Sequence, residues 1–283
     1  MKYIKVAHLN HDIRRILPKL PADIDIVVAI PRDGIIVAAL IGLYRSIPFI
    51  DVDGFCNRRV FTPGKKYRSY WDSGKIKKVL LVDDTMVTGD SMAEAQERIL
   101  ALGWDIKLYT AAIYLFETNL ADTVGKVDFY SRVLPKGQLI FEWYITHQES
   151  RLADALVDLD GVLCANPTEE QLTTGKRYLE FIKTAGLALR PMVEIGTIIT
   201  GRNEEYREPT TEWLEQHGIS YRNIIMRPGE VADHAKFKAD HYRKSTAKLF
   251  IESSVAQAKY ISVTTGKPVL CIGNNTLYPG DNR

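Results

Sequence analysis

Two short segments combine acidic, hydroxyl and glycine residues in patterns that suit phosphate chemistry. In the first, VLLVDDTMVTGDS (79–91), an apolar run leads to two adjacent acids and a loop of small residues. Backbone N–H groups of such a loop bind phosphate at a helix start, and paired carboxylates suit ribose hydroxyls and hydrated Mg²⁺. We assign to this site Asp83, Asp84, Thr85, Met86, Val87, Thr88, Gly89, Asp90 and Ser91. The alternative is an ordinary helix capped by Asp90 or Ser91.

The second segment is ALVDLDGVL (155–163), an apolar run that ends in Asp-x-Asp-Gly. The Asp158 carboxylate can attack phosphorus to form an aspartyl-phosphate, and Asp160 can protonate the leaving oxygen and then activate water. A calcium loop would need further oxygen ligands, but Val162 and Leu163 follow instead. The pattern therefore favours phosphoryl chemistry over calcium binding.

A basic segment directly precedes the first acidic segment along the chain. Residues 58–78 contain eight Lys or Arg residues and one acid, Asp72. Such an excess of positive charge in a nearly neutral protein would attract anions. The alternative is a solvated surface segment without a catalytic role.

The elements that must position these residues are predicted to be alternating strands and helices. Apolar runs typical of buried parallel strands occur at 24–30, 79–82, 107–116, 155–157, 196–199, 248–251 and 268–272. Helical patterns occur at 35–45, 91–102, 175–185, 206–217 and 255–265. This alternation predicts an α/β fold with two domains, residues 1–150 and 151–283, each a mainly parallel sheet flanked by helices.

Composition narrows the function classes. The 283 residues are 46% hydrophobic and 25% charged, which is ordinary globular usage, and their number suits two domains. The lack of an 18-residue apolar run disfavours a membrane span, and the polar start predicts a cytoplasmic protein. A net charge of +2 does not favour nucleic acid or membrane partners. The oligomeric state stays open, a homodimer included.

The first half of the chain resembles the type I phosphoribosyltransferases. Residues 79–91 resemble the motif of that family that binds phosphoribosyl pyrophosphate (PRPP), and AIPRDG (29–34) resembles its pyrophosphate loop. The basic segment stands where the family has a flexible loop. This implies that cations stabilise the developing charge of a leaving pyrophosphate, and our candidates are Arg32, Lys66 and Arg68. The segments VDFY (127–130) and FEWY (141–144) resemble its late strand and base-holding aromatic segment, which implies that Trp143 or Tyr144 stacks on the base. The identity of the base stays open.

The second half resembles the haloacid dehalogenase (HAD) superfamily of phosphatases. IITGR (198–202) resembles its second motif, which implies that Thr200 and Gly201 bind phosphate. Lys238, with Lys236 as the alternative, resembles the third-motif lysine that also binds phosphate. LFIESS (249–254) resembles the metal-binding fourth motif, which implies Mg²⁺ held by Asp158, by Asp160 through its backbone carbonyl and by Glu252, with waters completing its shell. The spacing of the motifs leaves no room for a large cap domain.

Together these features predict a bifunctional, Mg²⁺-dependent enzyme of nucleotide metabolism. The first domain would transfer a phosphoribosyl group between PRPP and a nucleobase or base-like acceptor, in either direction. The second would hydrolyse a phosphomonoester, such as the nucleoside 5′-monophosphate made by the first. One alternative is a PRPP-sensing domain fused to a phosphatase for a bulky substrate. Another is a phosphatase for a protein or nucleic-acid end.

Overall fold

A computed structural model of the chain describes residues 1–59, 76–135, 139–229 and 232–280. The chain divides into two compact units. Lys5–Gly137 form the N-terminal unit, and Met1–Ile4 join Gln138–Arg283 in the C-terminal unit. The sequence predicted a division between residues 150 and 151. Strand β1 (Lys2–Ile4) pairs in parallel with strand β7 (Leu139–Phe141). Residues 139–150 group with the C-terminal unit because they bond to its later residues: Asn275 donates to the Glu142 carboxylate (2.7 Å), and the Met192 N–H donates to the Thr146 carbonyl (2.7 Å).

The N-terminal unit is an open parallel sheet with helices. Its strands are β2 (Ile26–Ala29), β3 (Phe49–Asp51), β4 (Lys78–Met86), β5 (Lys107–Phe116) and β6 (Phe129–Leu134). They pair in parallel in the order β3-β2-β4-β5-β6. Its helices are α1 (Val6–Ile16), α2 (Gly34–Arg45), α3 (Val52–Cys56), α4 (Asp90–Leu100) and the short α5 (Leu120–Thr123).

Burial explains why this sheet places its acidic residues at one edge. The β4 residues from Val79 to Val82 are fully buried, as expected for a central strand that is covered on both faces. The polar residues begin only where β4 leaves this core, at Asp83. Because β2 and β4 are parallel neighbours, the loop after β2 lies at the same edge as Asp83.

The C-terminal unit is a six-stranded sheet with helices. Besides β1 and β7, its strands are β8 (Ala155–Val157), β9 (Ile195–Asn203), β10 (Tyr221–Arg227), β11 (Leu249–Glu252), β12 (Val269–Cys271) and β13 (Thr276–Tyr278). The strand order is β10-β9-β8-β11-β12-β13, parallel except for β13. Its helices are α6 (Glu149–Leu152), α7 (Gly175–Thr184), α8 (Arg207–Gln216), α9 (His234–Lys244) and α10 (Val255–Thr265).

This strand order brings the polar strand ends of the second half together. β8 lies between β9 and β11, so Asp158, Thr200 and Glu252 share the carboxyl edge of the sheet. Helix α8 packs through Trp213 and Leu214, both almost fully buried. Both units are thus α/β folds with parallel sheets flanked by helices, as the sequence predicted.

The helices of both units are short. The longest in the described ranges, α2, has 12 residues. None of the described helices combines the length and apolar character needed to cross a membrane.

Candidate active sites

The first site is built where β2 and β4 end. The Asp83 carboxylate accepts the N–H of Asp84 (2.9 Å) at the end of the buried part of β4. Gly34 packs directly against this point, since a Cβ atom there would lie 2.7 Å from the Val82 carbonyl oxygen and 3.3 Å from Asp83 Oδ1. The loop that carries Arg32 therefore touches the acidic end of β4, as a joint ribose and pyrophosphate site requires.

Three carboxylates crowd this edge. Burial, then the charge of Asp84, and then that of Asp33 raise the pKa of Asp83 from 3.8 to about 8. Asp84 is only 2% exposed, whereas Asp83 is half-buried. A cation would relieve this repulsion, and hydrated Mg²⁺ is commonly held by one or two carboxylates together with substrate phosphates. The carboxylates of Asp83 and Asp84 therefore fit a hydrated Mg²⁺ ion.

The predicted phosphate loop follows directly. Gly89 has a φ of +88°, a left-handed conformation that favours glycine, and α4 begins at the next residue. The Thr88 hydroxyl donates to the Asp90 carboxylate (2.7 Å). Lys126, which the sequence analysis missed, donates from Nζ to the Thr88 carbonyl (2.8 Å) and packs over Gly89. This exposed ammonium adds positive charge beside the loop, and no local pattern around Lys126 indicated it.

The remaining predicted transferase residues have different outcomes. Arg32 Nε donates to Asp33 Oδ1 (2.9 Å), so a pyrophosphate would compete with an existing partner. Lys66 and Arg68 lie outside the described residues. Trp143 and Tyr144 belong to the C-terminal unit, where their rings pack 5.0 Å and 5.9 Å from that of Phe141. Stacking of either ring on a base therefore stays a prediction.

The second site is a cavity of about 280 Å³ in the C-terminal unit. Its lining includes Asp158, Asp160, Gly201, His234, Lys238 and Glu252. The structure thus gathers most of the predicted phosphatase residues around one space. Thr200 is fully buried beside it, and its Oγ1 accepts the N–H of Arg202 (3.1 Å).

Lys238 is the central cation of this cavity. Its ammonium lies 2.9 Å from Asp158 Oδ2 and 2.8 Å from Glu252 Oε2, and all three side chains are buried. Burial acts to lower the pKa of Lys238, but Asp158 and Glu252 outweigh it and raise that pKa. Burial raises the pKa of Asp158 well above its ordinary range, against the opposing charge of Lys238. The sequence alternative, Lys236, is exposed on α9.

Arg202 is a second buried cation that the sequence analysis left without a role. It is 1% exposed, and its Nη2 lies 2.7 Å from Asp160 Oδ1, while its Nε contacts both carboxylate oxygens (3.2 Å and 3.1 Å). Its Nη1 also contacts the Thr210 hydroxyl (3.2 Å). A charged residue inside an otherwise apolar strand needs a buried partner, and this rule could have indicated Arg202 from sequence. Asp160 must leave this pairing to act as an acid or base.

The predicted metal ligands of the second site do not fit Mg²⁺. Among the described residues, no group of three or more His, Cys, Asp and Glu side chains is arranged to hold a metal ion. Glu252 Oε2 contacts Lys238, and Oε1 accepts the N–H groups of Ser253 (2.8 Å) and Ser254 (2.9 Å). The main-chain carbonyl of Asp160 accepts the Ser253 hydroxyl (3.2 Å). Oxygens that would ligate the ion are therefore engaged by protein donors.

Comparison with protein-family models finds no match, and comparison with curated proteins finds none either. Among solved structures, the chain is similar to a purine phosphoribosyltransferase from Pyrococcus horikoshii Ot3 (19% identity, 50% of this chain and 94% of that one, TM-score 0.35). It is also similar to the xanthine-guanine-hypoxanthine phosphoribosyltransferase of Helicobacter pylori (12%, 51% and 95%, 0.35). A third similar structure is a hypothetical protein from Neisseria gonorrhoeae with bound ppGpp (16%, 53% and 93%, 0.38).

Proposed function

We propose that the N-terminal unit transfers a phosphoribosyl group between PRPP and a base. The observation that supports this most is the contact of the Gly34 backbone with Asp83, on the strand that runs into the Thr88–Ser91 loop. One ligand could then be bound in three parts: its pyrophosphate by the cations, its ribose by the carboxylates and its 5′-phosphate by the loop. An isolated capped helix would need none of the other parts.

The proposed reaction breaks the bond between ribose C1 and pyrophosphate and forms a bond from C1 to a ring nitrogen of the base. Pyrophosphate leaves with the electron pair of the broken bond, and the proton of the ring nitrogen passes to solvent. Negative charge builds on the departing pyrophosphate, and Mg²⁺ supplies neutralising charge when it is bound. Arg32 would turn from Asp33 to the pyrophosphate, with Lys66 and Arg68 as further candidates. Asp83 and Asp84 would orient the ribose through its hydroxyls, and the Thr88–Ser91 loop would hold the 5′-phosphate.

Incubation with PRPP, Mg²⁺ and a panel of bases tests this proposal through pyrophosphate release. Arg32→Ala distinguishes an enzyme from a PRPP sensor. An enzyme should lose kcat more than PRPP affinity, because the charge that Arg32 meets develops in the transition state. Equal losses would favour the sensor. Absence of pyrophosphate release with every base, despite tight PRPP binding, would contradict the transferase assignment.

For the C-terminal unit we propose hydrolysis of a phosphomonoester, such as the nucleoside 5′-monophosphate made by the first reaction. The solved structures named above include no phosphatase, so this half rests on the side chains around the cavity. The Asp158 carboxylate would bond to phosphorus while the ester oxygen leaves with a proton from Asp160. Water would then release phosphate and restore the carboxylate. Lys238, Gly201 and Thr200 would hold the phosphoryl oxygens.

Asp158→Asn tests this second activity and its link to the first. The variant should stop phosphate release and accumulate a nucleoside 5′-monophosphate, because an amide is a poor nucleophile. Asp154→Asn is the matched control, since Asp154 is exposed and pairs with Lys248 outside the cavity. Chromatography of the products decides: the same product ratio in wild type and Asp158→Asn would mean that the second unit does not act on the product of the first.

A further inference from the structure

We infer that the C-terminal cavity binds its phosphate group without a divalent cation, because Ser253 closes the place where a third metal ligand would have to stand. The inference deepens the phosphomonoester site proposed above and rests on it. It concerns three groups that converge on one point: the Asp158 carboxylate, the Asp160 main-chain carbonyl and the residue after Glu252.

Ser253 lies directly against the Asp160–Gly161 peptide. Its Oγ donates to the Asp160 carbonyl (3.2 Å), and it leaves no space for even a methyl group on Gly161. An ion bound at that carbonyl would have to displace the hydroxyl. Ser253 itself offers only a neutral oxygen in place of a carboxylate.

Glu252 cannot replace the missing ligand without losing its own partners. Its Oε1 accepts two backbone N–H groups at the start of α10, and its Oε2 accepts the Lys238 ammonium. Both oxygens of this carboxylate therefore already accept hydrogen bonds from the protein. Mg²⁺ demands near-ideal octahedral oxygen geometry at about 2.0–2.1 Å and tolerates little distortion.

Two buried cations of the protein offset two of the three carboxylate charges in the cavity. The three carboxylates Asp158, Asp160 and Glu252 face two buried cations, Lys238 and Arg202, each within 2.9 Å of its partners. Lys238 bridges two of the carboxylates as a metal ion would. The ammonium can also reach a phosphoryl oxygen beside Asp158, so the chain carries its own cation at this position.

Binding of Mn²⁺, measured by the electron paramagnetic resonance signal of the free ion without PRPP, tests the inference. The wild type and the Asp158→Asn variant should bind Mn²⁺ equally, because no bound ion should depend on Asp158. Ser253→Asp supplies the carboxylate and should bind Mn²⁺ at least about tenfold more tightly than wild type, because affinity follows ligand charge. Adding Asp158→Asn to Ser253→Asp should abolish that gain, and Ser253→Ala should show none.

Saturable Mn²⁺ binding in wild type that Asp158→Asn removes would overturn the inference. A folded Ser253→Asp variant that gains no binding would also overturn the role given to Ser253. If that variant does not fold, the comparison of wild type with Asp158→Asn still decides.

A second assay separates this inference from the phosphatase proposal. Wild type is given a nucleoside 5′-monophosphate directly, with EDTA or with Mg²⁺. Phosphate release that is unchanged by EDTA supports both proposals, and release only with Mg²⁺ refutes this inference alone. No release in either condition refutes the phosphatase proposal, while the Mn²⁺ measurement still decides the metal question.

Discussion

Asp83→Asn should make the unliganded protein more stable at pH 8 while weakening its binding of PRPP. The substitution keeps the size of the side chain and removes a carboxylate that lies beside Asp84 and Asp33. A site that gathers negative charge for a divalent cation is destabilised while that cation is absent. Removing the Asp83 charge should therefore raise the stability of the unliganded protein and weaken its binding of PRPP.

The magnitude follows from the pKa of Asp83, which rises from 3.8 to about 8 on folding. Between these values the folded protein keeps a proton that the unfolded chain has lost, so the free energy of unfolding falls as pH rises. Four units correspond to at most about 6 kcal/mol, at roughly 1.4 kcal/mol each. Asp83 is half-buried, so solvent screens part of this effect, and we expect about 2 kcal/mol.

Urea unfolding at pH 5 and pH 8, without Mg²⁺ or PRPP, measures the effect. Wild type should lose stability between these values, and Asp83→Asn should lose much less. The exposed residue Asp122 provides the control Asp122→Asn, which makes the same charge change and should follow wild type. An Asp83→Asn variant with the wild-type pH dependence would refute the crowding argument, and undiminished PRPP affinity in calorimetry would refute the role of Asp83 in the site.

Three further substitutions probe the ion pair of Lys238, the loop at Gly89 and the packing of β9 at Gly196. Lys238→Met should lower the free energy of unfolding by about 3–5 kcal/mol in urea titration, because it leaves Asp158 buried without its cation; an unchanged value would contradict the ion pair. Gly89→Ala should cost about 1–3 kcal/mol through its positive φ and weaken PRPP binding in calorimetry, and wild-type affinity would contradict the loop assignment. Gly196→Ala should lower the melting temperature in calorimetry, by about 1–3 kcal/mol of stability, because its methyl group would overlap the Ala153 carbonyl; a wild-type melt would contradict that packing.

The strand-end motifs could be predicted from the sequence because they are local. The apolar run before Asp83 and Asp84 indicates a buried strand by itself, and Gly89 with its small neighbours indicates a loop. The strand continues through Met86 before that loop begins. The same holds for the run before Asp158. Helix α8, with Trp213 and Leu214 buried, also followed from its own periodicity. These features determined the fold class and most of the candidate site.

The partners of these residues were decided only by the tertiary structure. The contact of Arg202 with Asp160 spans 42 positions, and that of Ser253 with the Asp160 carbonyl spans 93. The strand order sets both, because β9 and β11 flank β8, and no local pattern encodes that order. The resemblance to the fourth motif predicted Glu252 as a metal ligand, whereas in the structure its carboxylate accepts a hydrogen bond from the Lys238 ammonium. The residue types determined which chemical groups the chain carries. The long-range contacts of the charged side chains determined which of them pair within the protein.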